Sequence, residues 1–197
     1  MSNQISMLLF RDELYRIPAP DGYFIRTLKE GDLSDTEGWL HANHTLWKSL
    51  HTDPWTPEWF EKNMLGDPDC VPDRIFLICR SSDGAIAGTA TAKFGKTPSL
   101  HEVGIAEEFM GRHLSLSLCA APLDYMIERG AHRIQLLTDE FRRPAIKTYL
   151  RLGFRPWFYR DDMPERWAGV FRDMGLPAAD YFAYDELSHR KVAIPVD

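Results

Sequence analysis

Residues 100–156 hold the arrangement most able to do chemistry. A short β-type segment at 102–105 runs into a loop at 106–112, which opens a helix-type segment. Such a corner points the unpaired first amides of a helix, at the positive end of its dipole, toward whatever lies above the strand end. It suits the holding of a phosphate. Gly111 permits close backbone approach or a positive φ, and Arg112 adds a cation. Many strand–loop–helix corners bind nothing, so the corner alone does not decide a ligand. A second feature is residues 41–59, where His41, His44, His51, Trp47, Trp55 and Trp59 crowd together. Aromatic walls and imidazoles can bind a small amine, and the same residues can equally be packed tryptophans and solvated histidines. His41 and His44 share a helix face by spacing, but no third ligand has strong metal spacing, so no metal is expected. Cys70, Cys79 and Cys119 are odd in number, widely spaced and without a C-x-x-C pair. They read as buried free thiols in a reducing compartment, with nothing to support a catalytic one.

These residues need elements to position them. The first twenty residues read as an extended arm ending at Ile17, Pro18, Ala19 and Pro20. Residues 23–28 are β-rich. Asp32 or Ser34 can cap a helix reaching to about Leu50, with Trp39, Leu40, Leu46, Trp47 and Leu50 as its apolar stripe. Thr56, Pro57 and Glu58 start another. Residues 74–80, 85–94 and 99–105 read as a three-strand meander. The period then changes to that of a helix, with Leu116, Cys119, Ala120, Leu123 and Ile127 on one stripe. Pro122 lies inside and is expected to kink it. A strand at 132–137, a helix at 144–152, a strand at 154–159 and a helix at 164–174 follow. The order predicts a mixed α/β (α+β) fold, with a central, mostly antiparallel sheet of about six to seven strands and helices on both faces. No linker composition divides the 197 residues, so one domain is expected, with additions at 1–20 and 160–197.

Composition excludes several classes. Lys and Arg number 23 against 29 Asp and Glu, a net charge of −6 that argues against general nucleic-acid binding. The apolar stretch near the start, Met7 to Phe10, ends at once in Arg11, Asp12 and Glu13, so neither a signal peptide nor a membrane helix is expected. A cytoplasmic location follows as the expectation.

The stretch resembles the acetyl-CoA-binding core of the GNAT superfamily of acyl-CoA-dependent N-acyltransferases. Val103, Gly104 and Ile105 match the family's Val-x-Val strand, and Met110 to Ser115 fall on its phosphate loop. Thr138, Ala145, Ile146, Tyr149, Leu152, Gly153 and Phe154 match its second motif, in order and at the right distance. Phe24 to Thr27, then Gly31 and Asp32, resemble its first strand and helix start, so the likeness spans roughly residues 23–159. The loop motif is degenerate: Met110 stands for Arg or Gln, His113 for the first Gly, Ser115 for the second Gly or Ala, and Arg142 for an Asn.

The resemblance implies transfer of an acetyl group from acetyl-CoA, the cosubstrate, to an amine of a small molecule or peptide. Backbone groups of Val103 and Ile105 would hold the pantetheine arm. The amides of Gly111, Arg112, His113, Leu114 and Ser115 would hold the pyrophosphate. Arg112, Arg142 and Arg143 lie in the two segments expected to flank CoA phosphates, and Gly104 is compatible with a strand bulge offering an amide to the thioester oxygen. Tyr149 is the implied acid beside the sulfur. Glu102 is the lead base, with Asp139 and Glu140 as substitutes, and His101 projects to the opposite face if the strand is regular. Residues 41–59 would help form the acceptor site. A CoA-binding sensor without turnover is the competing reading, and a homodimer through residues 181–187 or an edge strand is conceivable.

Overall fold

The computed structural model describes residues 4–49, 52–186 and 189–195. Its backbone divides into two compact units. One holds Asp12–His132; the other holds the N-terminal strand together with the chain from Arg133 onward.

In the Asp12–His132 unit four strands pair in chain order, all antiparallel: β2 (Tyr23–Thr27), β3 (Ile75–Arg80), β4 (Ile86–Phe94) and β5 (Pro98–Ile105). The helix α1 (Leu33–Ala42) starts where expected, with the Asp32 carboxylate accepting from the amides of Ser34 and Asp35. It does not run on to Leu50. It ends at Asn43 (φ −94°, ψ 5°), and a separate short helix, α2 (His44–Ser49), follows. The Asn43 side chain donates back to the Trp39 carbonyl at 2.9 Å, a local bond that competes with helix continuation. His41 and His44 therefore do not share one helix face. Leu50 and His51 lie outside the described residues. At α3 (Pro57–Phe60) Thr56 caps by accepting from the Trp59 amide, and a wide π turn, Glu61–Leu65, continues it. Helix α4 (Leu114–Glu128) runs through Pro122, where a kink was expected.

The two faces of this sheet pack differently. Trp39, Phe60, Met64 and Cys70 are buried against Ile75, Leu77 and Cys79. Trp55 and Trp59 stack in parallel on this cluster, their ring centroids 4.2 Å apart. On the other face Phe76 and Phe94 meet Tyr125 of α4 edge-on. One ion pair ties β2 to α1: Arg26 grips Asp35 with both terminal nitrogens, at 2.6 and 2.5 Å, and the Lys29 amide donates to the same carboxylate.

The other unit is built around β1 (Ile5–Phe10), antiparallel to β6 (Arg133–Thr138) on one side and β7 (Arg155–Phe158) on the other. Next to β7 lies β8 (Phe182–Asp185), parallel to it, then β9 (Lys191–Ala193). Helices α5 (Arg143–Arg151) and α6 (Met163–Asp173) complete the unit. Among the described residues nine strands thus stand where about six to seven were expected. The expected N-terminal arm is in part a central strand, whose residues from Ile5 to Leu9 are all buried. A strand covered on both faces shows no alternation, so its short apolar run gave no period to read. Among the described residues no helix is long and apolar enough to cross a membrane.

Asp35 is 1% exposed, so removing its charge strands the Arg26 guanidinium. Asp35→Asn is expected to cost about 3 kcal/mol, read as a lower urea midpoint at unchanged slope.

Candidate active site

The site begins with a fault in β5. Gly104 pairs with Thr89 and His101 with Thr91, so Glu102 and Val103 together stand opposite Ala90. This is a β-bulge, and Glu102 takes the left-handed region at φ +43°. The bulge breaks the strand's alternation. His101 and Glu102, expected on opposite faces, come together, with His101 Nε2 3.5 Å from Glu102 Oε1. Desolvation first, and the Lys93 ammonium second, hold the His101 imidazole at about 4, so it is neutral at neutral pH. The Glu102 side chain is 17% exposed, a carboxylate with limited access to water.

Beyond the bulge, Gly104 seats against the end of α1. A Cβ there would lie 2.5 Å from the Ala42 carbonyl oxygen and 2.6 Å from Asn43 Oδ1, so only glycine fits. The chain then leaves β5 through one 3-10 turn, Glu107–Phe109. Gly111 (φ +77°) and His113 (φ +58°) are both left-handed, with Arg112 between them. Alternation of this kind turns consecutive N–H groups toward one point, an anion cradle. It delivers the chain into α4, fifteen residues long, with no side-chain cap and no acidic residue in its first turn. Phe109 and Leu114 are buried and anchor the loop at both ends, while Gly111, Arg112 and His113 are exposed. Glu108 accepts from His41 at 2.8 Å, tying the loop to α1.

The remaining expected site residues lie in the other unit. Tyr149 is buried on α5 beside Ile146 and Leu150, its ring edge-on to Phe154. Arg142 stands just before α5 and pairs with Asp139 at 2.8 Å; Arg143 pairs with Asp173 at 2.8 Å. Two of the three expected phosphate-flanking cations thus already have carboxylate partners, and Arg112 lies over the Phe109 ring. Burial pushes the thiols up, Cys70 to about 11 and Cys119 to about 12, and raises Cys79 too, so all three stay protonated at neutral pH. Among the described residues no group of three or more His, Cys, Asp or Glu is placed to hold a metal ion.

Residues 39–154 match the family model described as "Acetyltransferase (GNAT) family". The chain belongs to the GNAT acetyltransferase family. It is similar to the mycothiol acetyltransferases of Arthrobacter sp., 30% identical over 74% of this chain and 46% of that one, and of Thermomonospora curvata, 30% identical over 72% and 47%. It spans about half the length of these relatives. The fold is that of a GCN5-related N-acetyltransferase from Sphaerobacter thermophilus (TM-score 0.61, 21% identity, 78% of this chain and 48% of that one). A tandem GNAT protein from the clavulanic acid biosynthesis pathway shares it too (TM-score 0.53, 18% identity, 78% and 50%).

Asn43 was not among the expected site residues of this GNAT chain. It is fully buried and ends α1 against Gly104. The one available signal was a helix-disfavoured residue inside an apolar-periodic run.

Because the folded state disfavours the protonated imidazole, the unfolded chain binds more protons between the ordinary value of 6.5 and about 4. The contribution is full above that window and is lost as pH falls through it. Wild type is therefore expected to lose stability relative to His101→Gln over this range in paired denaturant titrations, with the two curves running parallel at higher pH.

Proposed function

We propose that this chain transfers the acetyl group of acetyl-CoA to a primary amine of a small molecule or peptide, by direct attack in a ternary complex. The left-handed pair Gly111 and His113 at the entrance to α4 carries the reading. It shapes an exposed loop whose amides suit a pyrophosphate, and it follows a strand whose bulge frees backbone groups from pairing. The name shared by the curated relatives makes a mycothiol-type acceptor the first to try.

The chemistry is assigned as follows. Glu102 takes a proton from the acceptor ammonium, leaving a nucleophilic amine. The amine nitrogen bonds to the thioester carbon while a backbone amide of the Val103–Ile105 segment donates to the carbonyl oxygen as it gains negative charge. The C–S bond breaks and the thiolate takes the Tyr149 phenol proton, while the second proton shed by the nitrogen as it becomes an amide passes to solvent, from which Tyr149 is reprotonated. Val103 and Ile105 hold the pantetheine arm through backbone groups. The amides from Gly111 to Ser115, with Arg112, hold the phosphates, and Arg142 lends its charge from α5. The protein acts in the cytoplasm, without nucleic acid or membrane, as one domain over residues 1–197. A homodimer through its C-terminal segment remains part of the proposal, although Leu187 lies outside the described residues.

One observation favours a second reading. His113 holds a left-handed φ where the resemblance has glycine, which costs about 1 kcal/mol and sets an imidazole at the phosphate loop. A CoA-binding sensor would tolerate this more readily than an enzyme.

Calorimetric CoA binding, followed by thiol release from acetyl-CoA across an amine panel, separates the two. Binding with release for at least one amine supports the enzyme. Binding without release for any amine supports the sensor, and no binding sinks both. For an accepted amine, Tyr149→Phe is expected to lower kcat about 100-fold with little change in the KM for acetyl-CoA. Glu102→Gln is expected to lower the rate on the order of 100-fold across pH 6 to 9. Full turnover in either variant rejects that residue's role. His113→Gly is expected to tighten CoA binding.

A further inference from the structure

Glu102 is held in a conformation that strand residues rarely adopt. Its φ of +43° lies in the left-handed region, which favours glycine. Strain of this kind persists only where the surroundings fix it, and an observed outlier is a reason to ask what it places. Here it places one side chain beside another. In a regular ladder Glu102 would face away from His101. With the bulge, Glu102 Oε1 lies 3.5 Å from His101 Nε2.

His101 has charged neighbours on its other side. It stands opposite Thr91, and Lys93, two residues along β4, is its diagonal neighbour on the same face. The Lys93 ammonium donates to Asp67 Oδ2 at 2.6 Å, and Asp67 Oδ1 accepts from the Asp69 amide at 2.9 Å. A polar row thus runs from Asp67 through Lys93 and His101 to Glu102. Desolvation opposes a positive charge on the imidazole most, the Lys93 ammonium opposes it next, and Asp67 favours it less strongly. The ring beside the carboxylate is therefore neutral at neutral pH.

A neutral neighbour suits a base. An imidazolium there would form an ion pair and make Glu102 a weaker acceptor of protons. A neutral imidazole still has one N–H to give. Aimed at Oε1, that N–H fixes the rotation of the carboxylate and leaves Oε2 for an ammonium. The separation of 3.5 Å is longer than a direct hydrogen bond, and such bonds at reacting groups often tighten only when substrate is bound.

We propose that His101 is a positioning residue for Glu102: uncharged beside it, His101 donates its Nε2 proton to Oε1 and so presents Oε2 to the acceptor amine. The inference rests on the acetyl-transfer reading above, with Glu102 as its base, and adds what orients that base. His101 itself takes no proton in the reaction.

The test uses His101→Gln, which keeps an N–H donor that does not titrate, and His101→Leu, which keeps bulk and removes the donor. With an accepted amine, His101→Leu is expected to lower kcat about 30-fold, with the KM for acetyl-CoA unchanged. His101→Gln is expected to stay within about threefold of wild type. In the Glu102→Gln background, His101→Leu is expected to lower kcat by no more than about twofold further, because a residue acting through the carboxylate has nothing left to orient. A loss in His101→Gln as deep as in His101→Leu, or an undiminished loss in the double variant, overturns the proposal. So does full activity in His101→Leu, and a slow Glu102→Gln then leaves the base and acetyl transfer standing. Full turnover in Glu102→Gln overturns the base and its positioning together, as does wild type that binds CoA yet acetylates no amine. Nitrogen NMR of histidine-labelled protein at neutral pH reads the ring without turnover. The His101 ring is expected neutral with its proton on Nε2, and the Nε2 resonance is expected to move in Glu102→Gln. A protonated ring, a proton on Nδ1 or an unmoved resonance overturns the proposal.

Discussion

Gly104 is held against the last carbonyl of α1, and the local structure around the candidate site depends on that contact. No residue with a Cβ can stand there, because the Ala42 oxygen and Asn43 Oδ1 already occupy the space. The close approach keeps α1 tight on the sheet, next to a bulge two residues earlier in the same strand. The bulge places His101 and Glu102 on one side and re-aims the strand end into the left-handed loop before α4. Backbone geometry here sets where a carboxylate, an imidazole and a row of amides can be.

Charge is distributed with similar economy. The chain is acidic overall, and several of its arginines are committed: Arg26 to Asp35, Arg142 to Asp139, Arg143 to Asp173. This leaves the left-handed loop before α4 with backbone N–H groups and a helix dipole, more than side-chain cations, to offer an anion. It also explains how a loop that departs from the glycine-rich pattern keeps its shape. Gly111 takes one left-handed position without a steric penalty, and His113, of a type that tolerates that region better than most, takes the other.

Much of this was legible in the residues. Thr56 with Pro57 announced a helix start, Asp32 a cap, and Tyr149 with Leu152, Gly153 and Phe154 a helix and its stop; all lie where their chemistry put them. Each depends on local backbone preferences, which a sequence carries directly. The misses share a different origin. β1 was read as an arm because a strand buried on both faces has no period. α1 was read through Asn43 because its apolar spacing continued past the residue whose side chain ends it. His101 was placed opposite Glu102 on condition of a regular strand, and the bulge removes that condition.

The sequence by itself determined the family, the order of the main elements and the corner where an anion could bind, since these rest on motif spacing and local conformation. Only the tertiary structure decided which side chains meet. The pairing register of β4 with β5 brought His101 to Glu102, and the packing of α1 on Gly104 brought the Asn43 oxygen to that strand. Register depends on the partner strand and helix packing joins residues dozens of positions apart, through contacts whose energies depend on both partners at once, so no local reading of either segment contains them.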